Sequence, residues 1–122
     1  MTTKQIGDLA EDLSVKILTD KEFDVICKNY RTRLGEIDII CFKRDTISFV
    51  EVKSLCMFKD NVISEPKEQI TQRKRNKLNL VAKHFISNKN LENYYYKFDL
   101  MEIKFWNDKN YSYSYSYIEN IF

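Results

Sequence analysis

Glycine and proline are almost missing from this chain: two Gly and one Pro in 122 residues. That scarcity excludes collagen-like repeats and flexible linkers. Cysteine is sparse and odd in number. Cys27, Cys41 and Cys56 lack metal-ligand spacing, and two of them sit inside apolar runs. A disulfide scaffold or a zinc site is not expected, and a reducing cytoplasm is the expected setting. Long hydrophobic runs are absent too. Residues 37–42 form one of the longest, far short of a bilayer span, so no membrane association is expected. The first residues lead into an amphipathic pattern rather than an apolar stretch, so no secretory signal is expected. Gly7 and Gly35 stand alone, which excludes a glycine-rich phosphate loop. The one histidine, His84, has no Ser or Cys context resembling a nucleophile elbow and reads as a helix surface residue. Acid is missing from Gln69 to Ser87, where Arg73, Lys74, Arg75, Lys77 and Lys83 concentrate positive charge. The net charge of +2 conceals that asymmetry. Lys28, Arg31 and Arg33 form a second basic group. The two groups read either as a solvated helix face plus a basic loop or as contacts to a polyanion such as nucleic acid.

What is present is a core-forming pattern. Apolar residues make up 43% of a chain sized for one domain, residues 1–122. Ile6, Leu9, Ala10, Leu13 and Ile17 recur at helical spacing, predicting a helix over residues 3–20 capped by Thr2 or Thr3. Residues 23–28, 36–43 and 46–54 read as strands, and 29–35 as a polar, basic loop. Residues 56–66 read as a loop, 67–87 as a second helix, and a stretch within 94–106 as a strand. Residues 107–110 suit a turn. Residues 111–117 alternate Tyr and Ser, which suits a late strand with its aromatics on one face. The expected order is α-β-β-β-α-β-β.

The strongest chemical signal lies in the central hairpin. If Arg44 and Asp45 form a symmetric turn, opposed residues have numbers summing to 89. Asp38 then faces Glu51, Glu36 faces Lys53, Ile40 faces Phe49 and Phe42 faces Ile47, all on one face. Ile37, Ile39 and Cys41, with Val52, Val50 and Ser48, form an almost wholly apolar opposite face. A slip of one residue would destroy that sorting. Two like charges opposed in a sheet repel. A proton, a cation or a bound metal would compensate, and two converging carboxylates suit Mg²⁺ or Mn²⁺. The competing reading is a surface salt-bridge cluster of Glu36, Lys53, Asp38 and Glu51. Against it, both strands look central, where idle charge is rare. Lys74 falls on the apolar stripe of Ile70, Leu78, Val81 and Phe85. It either snorkels or reaches the carboxylates and a phosphate, and Lys77 lies at the edge of that stripe. Glu11 sits beside the stripe of the first helix, where a lone Glu is commonly solvated.

The run Asn29-Tyr30-Arg31-Thr32-Arg33-Leu34-Gly35-Glu36-Ile37-Asp38-Ile39-Ile40 resembles the N-x-R-x-x-x-G-E-I-D-L-I signature of the YraN-like family of small bacterial predicted endonucleases. Phe49-Val50-Glu51-Val52-Lys53 matches that family's F-V-E-V-K. Ile70 to Lys74 is similar to its V-T-x-x-K, and Lys97-Phe98-Asp99 to its R-F-D. The family looks like a branch of the PD-(D/E)xK superfamily. The resemblance implies an α/β, restriction-endonuclease-like single domain with a central mixed sheet flanked by helices. It implies a metal, Mg²⁺ or Mn²⁺, held by Asp38 and Glu51, with Lys53 as the Lys of the E-x-K element. Glu11 falls on the family's helix Glu that approaches the site, and Lys74 on its second-helix Lys.

The expectation that follows is a metal-dependent endonuclease hydrolysing phosphodiester bonds, in DNA more than RNA, with branched or repair intermediates as candidate substrates. Asp38, Glu51, Lys53 and Glu11 would carry the chemistry, with Asp38, Glu51 and Glu11 at the metal. Arg31, Arg33, Lys74 and Lys77 would grip phosphates. Resolvase-like relatives suggest a homodimer. The alternative is a non-catalytic nucleic-acid-binding module of a DNA repair or recombination complex. A third is a partner protein that pairs through its Tyr-rich strand.

Overall fold

The computed structural model describes residues 1–58, 61–64, 71–106, 110 and 112–122. Helix α1 spans Thr3–Asp20. Its start is set by a reciprocal cap: Gln5 N–H donates to Thr2 Oγ1 (3.1 Å) and Thr2 N–H to Gln5 Oε1 (2.8 Å). Strands β1 (Asp24–Thr32), β2 (Gly35–Lys43) and β3 (Thr46–Phe58) follow, then the short β4 (Asn61–Ser64). Helix α2 spans Gln72–Asn88 with Thr71 as its cap, whose hydroxyl accepts from Lys74 N–H at 3.1 Å. Strands β5 (Tyr95–Trp106) and β6 (Tyr113–Ile118) complete the sheet.

The sheet runs β1-β2-β3-β5-β6, with β4 pairing the far end of β3. Only β3 and β5 are parallel, and α2 lies in the connection between them. The element order and fold class are those the sequence implies, with β4 as an addition. Residues 56–58 and 61–64 therefore form a hairpin extension where a loop was expected. Likewise β1 continues to Thr32, so the expected loop at 29–35 shrinks to Arg33 and Leu34 between paired Thr32 and Gly35. Gly35 (φ 153°) occupies backbone space that a side chain resists, in contact range of Val81. Helix α2 starts later than the expected residue 67, because Thr71 is extended (φ −75°, ψ 166°) and caps it at Gln72; residues 65–70, including Ile70, lie outside the described residues, as do 107–109 and Tyr111.

The helices cover opposite faces. Ala10, Ile17 and Leu18 of α1 bury against Ile39, Cys41, Val50, Met101, Ile103 and Phe105. Leu78, Val81, Ala82, Phe85 and Ile86 of α2 bury against Ile37, Ile40, Ile47, Phe49 and Phe98. Phe49 is the hub of the second cluster. Its ring makes edge-on contacts with Phe85 and Tyr96 and lies 5.5 Å from Phe98. Truncation of such a buried ring typically costs about 3–5 kcal/mol.

The β2–β3 register holds as read, with Ile39–Val50, Ile40–Phe49, Cys41–Ser48 and Phe42–Ile47 paired around Arg44 and Asp45. One face assignment changes. Ile37 belongs to the α2 cluster with Ile40, not to the α1 face with Ile39 and Cys41. The change occurs beside an irregular residue of β1. Its ladder pairs Lys28 with Ile39 and Tyr30 with Ile37, and between them Asn29 adopts a left-handed φ of 53° opposite Asp38. The strict alternation along β2 is lost at this level, and the β2–β3 ladder ends at Ile39–Val50.

Candidate metal and phosphate site

Asp38 lies at that level of β2. Its carboxylate turns toward the backbone of β3, where Oδ2 accepts from Val52 N–H at 2.8 Å. Glu51 lies on the α2 face of β3, opposite Val50 and Val52, which pack on the α1 side. The expected Asp38–Glu51 pairing thus falls one step beyond the last ladder pair. The two carboxyls still act on each other, Glu36 and Lys74 act on both, and Glu11 acts on Asp38. Burial is the leading cause that raises both: Asp38 up to about 6, and Glu51 up to about 7, where the Asp38 charge adds to the effect. Lys74 opposes both shifts.

Lys74 decides its own two readings. It reaches the carboxylate face, with Nζ 3.6 Å from Glu51 Oε2. The other oxygen, Glu51 Oε1, is buried and has no hydrogen-bond partner among the described residues. A buried carboxylate oxygen left without a donor is costly, and it marks a place where a cation or a proton is accommodated. Among the described residues no three acidic, His or Cys side chains are gathered closely enough to form a ready-made metal cluster. The donor set that exists is two carboxylates. That number suits Mg²⁺, which keeps several waters and takes one or two carboxylates plus substrate oxygens.

Glu11 is tied to the same region from α1. Asn29 Nδ2 donates to Glu11 Oε1 at 3.2 Å, so the left-handed residue of β1 also anchors the helix acid. Asn29 is a component that periodicity missed. An Asn in a polar run, tolerant of left-handed backbone, was the available signal. Lys53 follows Glu51 by two residues on the unbroken β3–β5 ladder, opposite Glu102, and so shares the Glu51 face.

The basic residues divide. Arg31 pairs with Glu36 across β1 and β2, its Nε 3.3 Å from Oε2. Lys28 pairs with Asp12 of α1. Arg33 lies exposed in the tight β1–β2 turn. A groove of about 350 Å³ runs between that hairpin and the start of α2, with Gly35 and Glu36 on one wall and Thr71, Arg73, Lys74 and Lys77 on the other. Arg73 joins the expected Lys74 and Lys77 there. His84 is an exposed helix residue, as expected, with Nδ1 2.6 Å from the Tyr30 hydroxyl.

A second polar cluster was not expected. Asp99 on β5 is fully buried and takes three donors: Lys97 Nζ (2.8 Å), the Tyr117 hydroxyl and Asn120 N–H (2.9 Å). Lys97 also bridges to Glu119 at 2.8 Å. Burial alone would lower the Lys97 ammonium, but its hydrogen bonds to Asp99 and Glu119 outweigh that and hold it above its ordinary value. Burial and the Asp99 bond raise Tyr117. Burial, with the Asp99 charge, pushes Cys41 up to about 12. The readable signal was an acid two residues from a Lys on a strand, hence on one face.

No described helix is long and apolar enough to cross a membrane. The family model described as "Uncharacterised protein family UPF0102" matches residues 10–103. That span contains Glu11, Asp38, Glu51, Lys53, Lys74 and Lys77. A UPF0102 protein of Clostridium perfringens (strain SM101 / Type A) is 40% identical over 119 residues, covering 98% of this chain and 94% of the relative. One from Alkaliphilus metalliredigens is 38% identical over 91% of this chain and 95% of its own. One from Caldicellulosiruptor saccharolyticus is 34% identical over the whole of both. The chain therefore belongs to the UPF0102 family, the YraN-like family that its motifs resemble.

Proposed function

We propose that this protein is a divalent-metal-dependent endonuclease acting on phosphodiester bonds, DNA before RNA. The observation that carries the reading is the Asp38–Glu51 pair, whose acids are raised by burial while Glu51 Oε1 has no donor among the described residues, next to a basic groove. Asp38 and Glu51 would hold Mg²⁺ or Mn²⁺, with Glu11 beside them. When bound, the ion supplies Lewis acidity toward a phosphoryl oxygen. Lys53, on the same strand face, stabilises charge developing on the phosphate. Arg73, Lys74 and Lys77 bind flanking phosphates along the groove, and Arg31 and Arg33 extend that contact to the β1–β2 turn. Lys74 has a double role: it neutralises Glu51 while the site is empty of other cations, and turns to phosphate when metal takes its place.

A cleavage panel with Mn²⁺ tests this, using linear, single-stranded and four-way-junction DNA and RNA, each with Glu51→Ala as control. Metal-dependent cleavage lost in Glu51→Ala supports the reading. One observation favours the alternative of a nucleic-acid-binding module: the Lys74–Glu51 ion pair already supplies a counter-ion to the acid. Salt-dependent binding of nucleic acid with no cleavage of any substrate would establish the module instead.

A further inference from the structure

At the turn end of the β2–β3 hairpin, on the α1 face, the molecule has a cavity of about 450 Å³. Lys43, Arg44 and Thr46 line it from the turn, Ser48 and Lys97 from the sheet, and Tyr117 from β6. It lies away from Glu51, because Ser48 and Glu51 differ in parity on one strand and point to opposite faces.

Its polar groups are unevenly spent. Asp99 beneath it already takes three donors. Glu119 takes Lys97, and Asp45 Oδ1 takes the Thr46 hydroxyl at 3.1 Å. Donors remain. Ser48 is 0% exposed, and its Oγ lies beside the Tyr117 hydroxyl without a hydrogen bond of good geometry among the described residues. Lys97 uses two of its three N–H groups on Asp99 and Glu119. Lys43 Nζ spends one on the Lys21 carbonyl at 2.8 Å, which also satisfies the end of α1. Arg44 forms no ion pair with any described residue, and it holds a left-handed φ of 60° at the cavity mouth. Counting Lys21, four cations stand against Asp45, Asp99 and Glu119. One wall is aromatic: Phe23 meets Tyr117 edge-on at 5.9 Å.

Surplus N–H donors, a buried hydroxyl held only loosely by Tyr117 and an aromatic wall call for an acceptor-rich ligand with an organic body. We propose that this cavity binds a small organic oxyanion of about mononucleotide size, its phosphate or carboxylate held by Arg44, Lys43 and Ser48. The volume falls within the range of small-molecule sites, roughly 300–1,000 Å³, and far exceeds that of a bare phosphate. The inference is independent of the nuclease reading, because no residue is shared with the Asp38–Glu51 site.

Calorimetry with adenosine monophosphate and with benzoate separates the phosphate and carboxylate sources. Each is titrated into wild type and into Lys74→Ala/Lys77→Ala, which removes phosphate binding at the groove. The expected result is binding of at least one probe by both proteins, weakened about tenfold or more in Ser48→Ala and in Arg44→Gly. Neither variant should harm folding. Ser48→Ala removes a buried hydroxyl that makes at most one weak bond, to Tyr117, and should leave Tm without ligand nearly unchanged. Arg44→Gly accepts the left-handed backbone. The proposal is overturned if neither probe binds wild type at millimolar concentration, if Ser48→Ala and Arg44→Gly bind as wild type does, or if binding vanishes with Lys74 and Lys77.

Discussion

Asp99 sits opposite Val50 in the β3–β5 ladder, one step from Glu51, yet the two acids meet opposite environments. Asp99 is wholly buried and receives two charged or hydroxyl donors and a backbone N–H. Glu51 has one buried oxygen that receives nothing among the described residues, and its other oxygen is met by Lys74 at 3.6 Å. Asp38 accepts one backbone N–H. A buried acid whose lone pairs are filled holds strands together. A buried acid whose lone pairs are open, beside a second acid, is held at a cost that a metal or proton relieves. In this sheet the difference follows position. Asp99 is closed in by β6 and the chain after it, whereas Asp38 and Glu51 stand where the β2–β3 ladder has ended.

The widest separation between the two regions should come from removing each acid. Asp99→Ala leaves Lys97, Tyr117 and Asn120 N–H without their acceptor, and should cost about 3–5 kcal/mol in urea unfolding. Asp38→Asn in metal-free protein should be neutral or stabilising, because it relieves like-charge repulsion. Equal losses in the two variants would erase the distinction.

Next in size is catalysis. Lys53→Ala should lower the rate of metal-dependent cleavage roughly a hundredfold or more, while metal affinity measured by calorimetry holds or rises slightly. Lys53→Arg should not rescue it. Equal cleavage by Lys53→Ala and wild type would remove Lys53 from the mechanism.

The pH dependence of stability follows. Asp38 and Glu51 titrate higher in the folded than in the unfolded chain. Between about pH 4 and pH 7 the folded state holds more protons, so this contribution is full below that window and is lost as pH rises through it. Metal-free protein should lose up to a few kcal/mol across the window, measured by denaturant unfolding in chelator. Asp38→Asn/Glu51→Gln should flatten the slope. A slope unchanged in that double variant would assign the protons elsewhere.

The smallest effect concerns the groove. Lys77→Ala should reduce the slope of log K against log salt for nucleic-acid binding by roughly one unit. Lys28→Ala, whose cation is already paired with Asp12, should change it less. Equal slopes in both variants would mean that the groove is not the phosphate track.

Much of this protein was legible in its residues. The cap at Thr2, the helical spacing of Ala10, Ile17, Leu78 and Val81, and the hairpin register about Arg44 and Asp45 are all short-range properties. Helix caps and i,i+4 stripes act within one turn, and a two-residue turn dictates its neighbouring pairs, so local sequence determines them. The same holds for the E-x-K spacing, which period two places on one face. Tertiary structure decided the rest. Ile37 changed faces where β2 parts from β3, beside Asn29 with its left-handed backbone on the neighbouring strand. Lys74 became the counter-ion of Glu51 because α2 packs across β2. Asp99 found its donors only when β6 and Asn120 closed over it. Each of these depends on groups far apart in the chain, whose meeting is set by packing of the two helices on one sheet, and no local pattern encodes that.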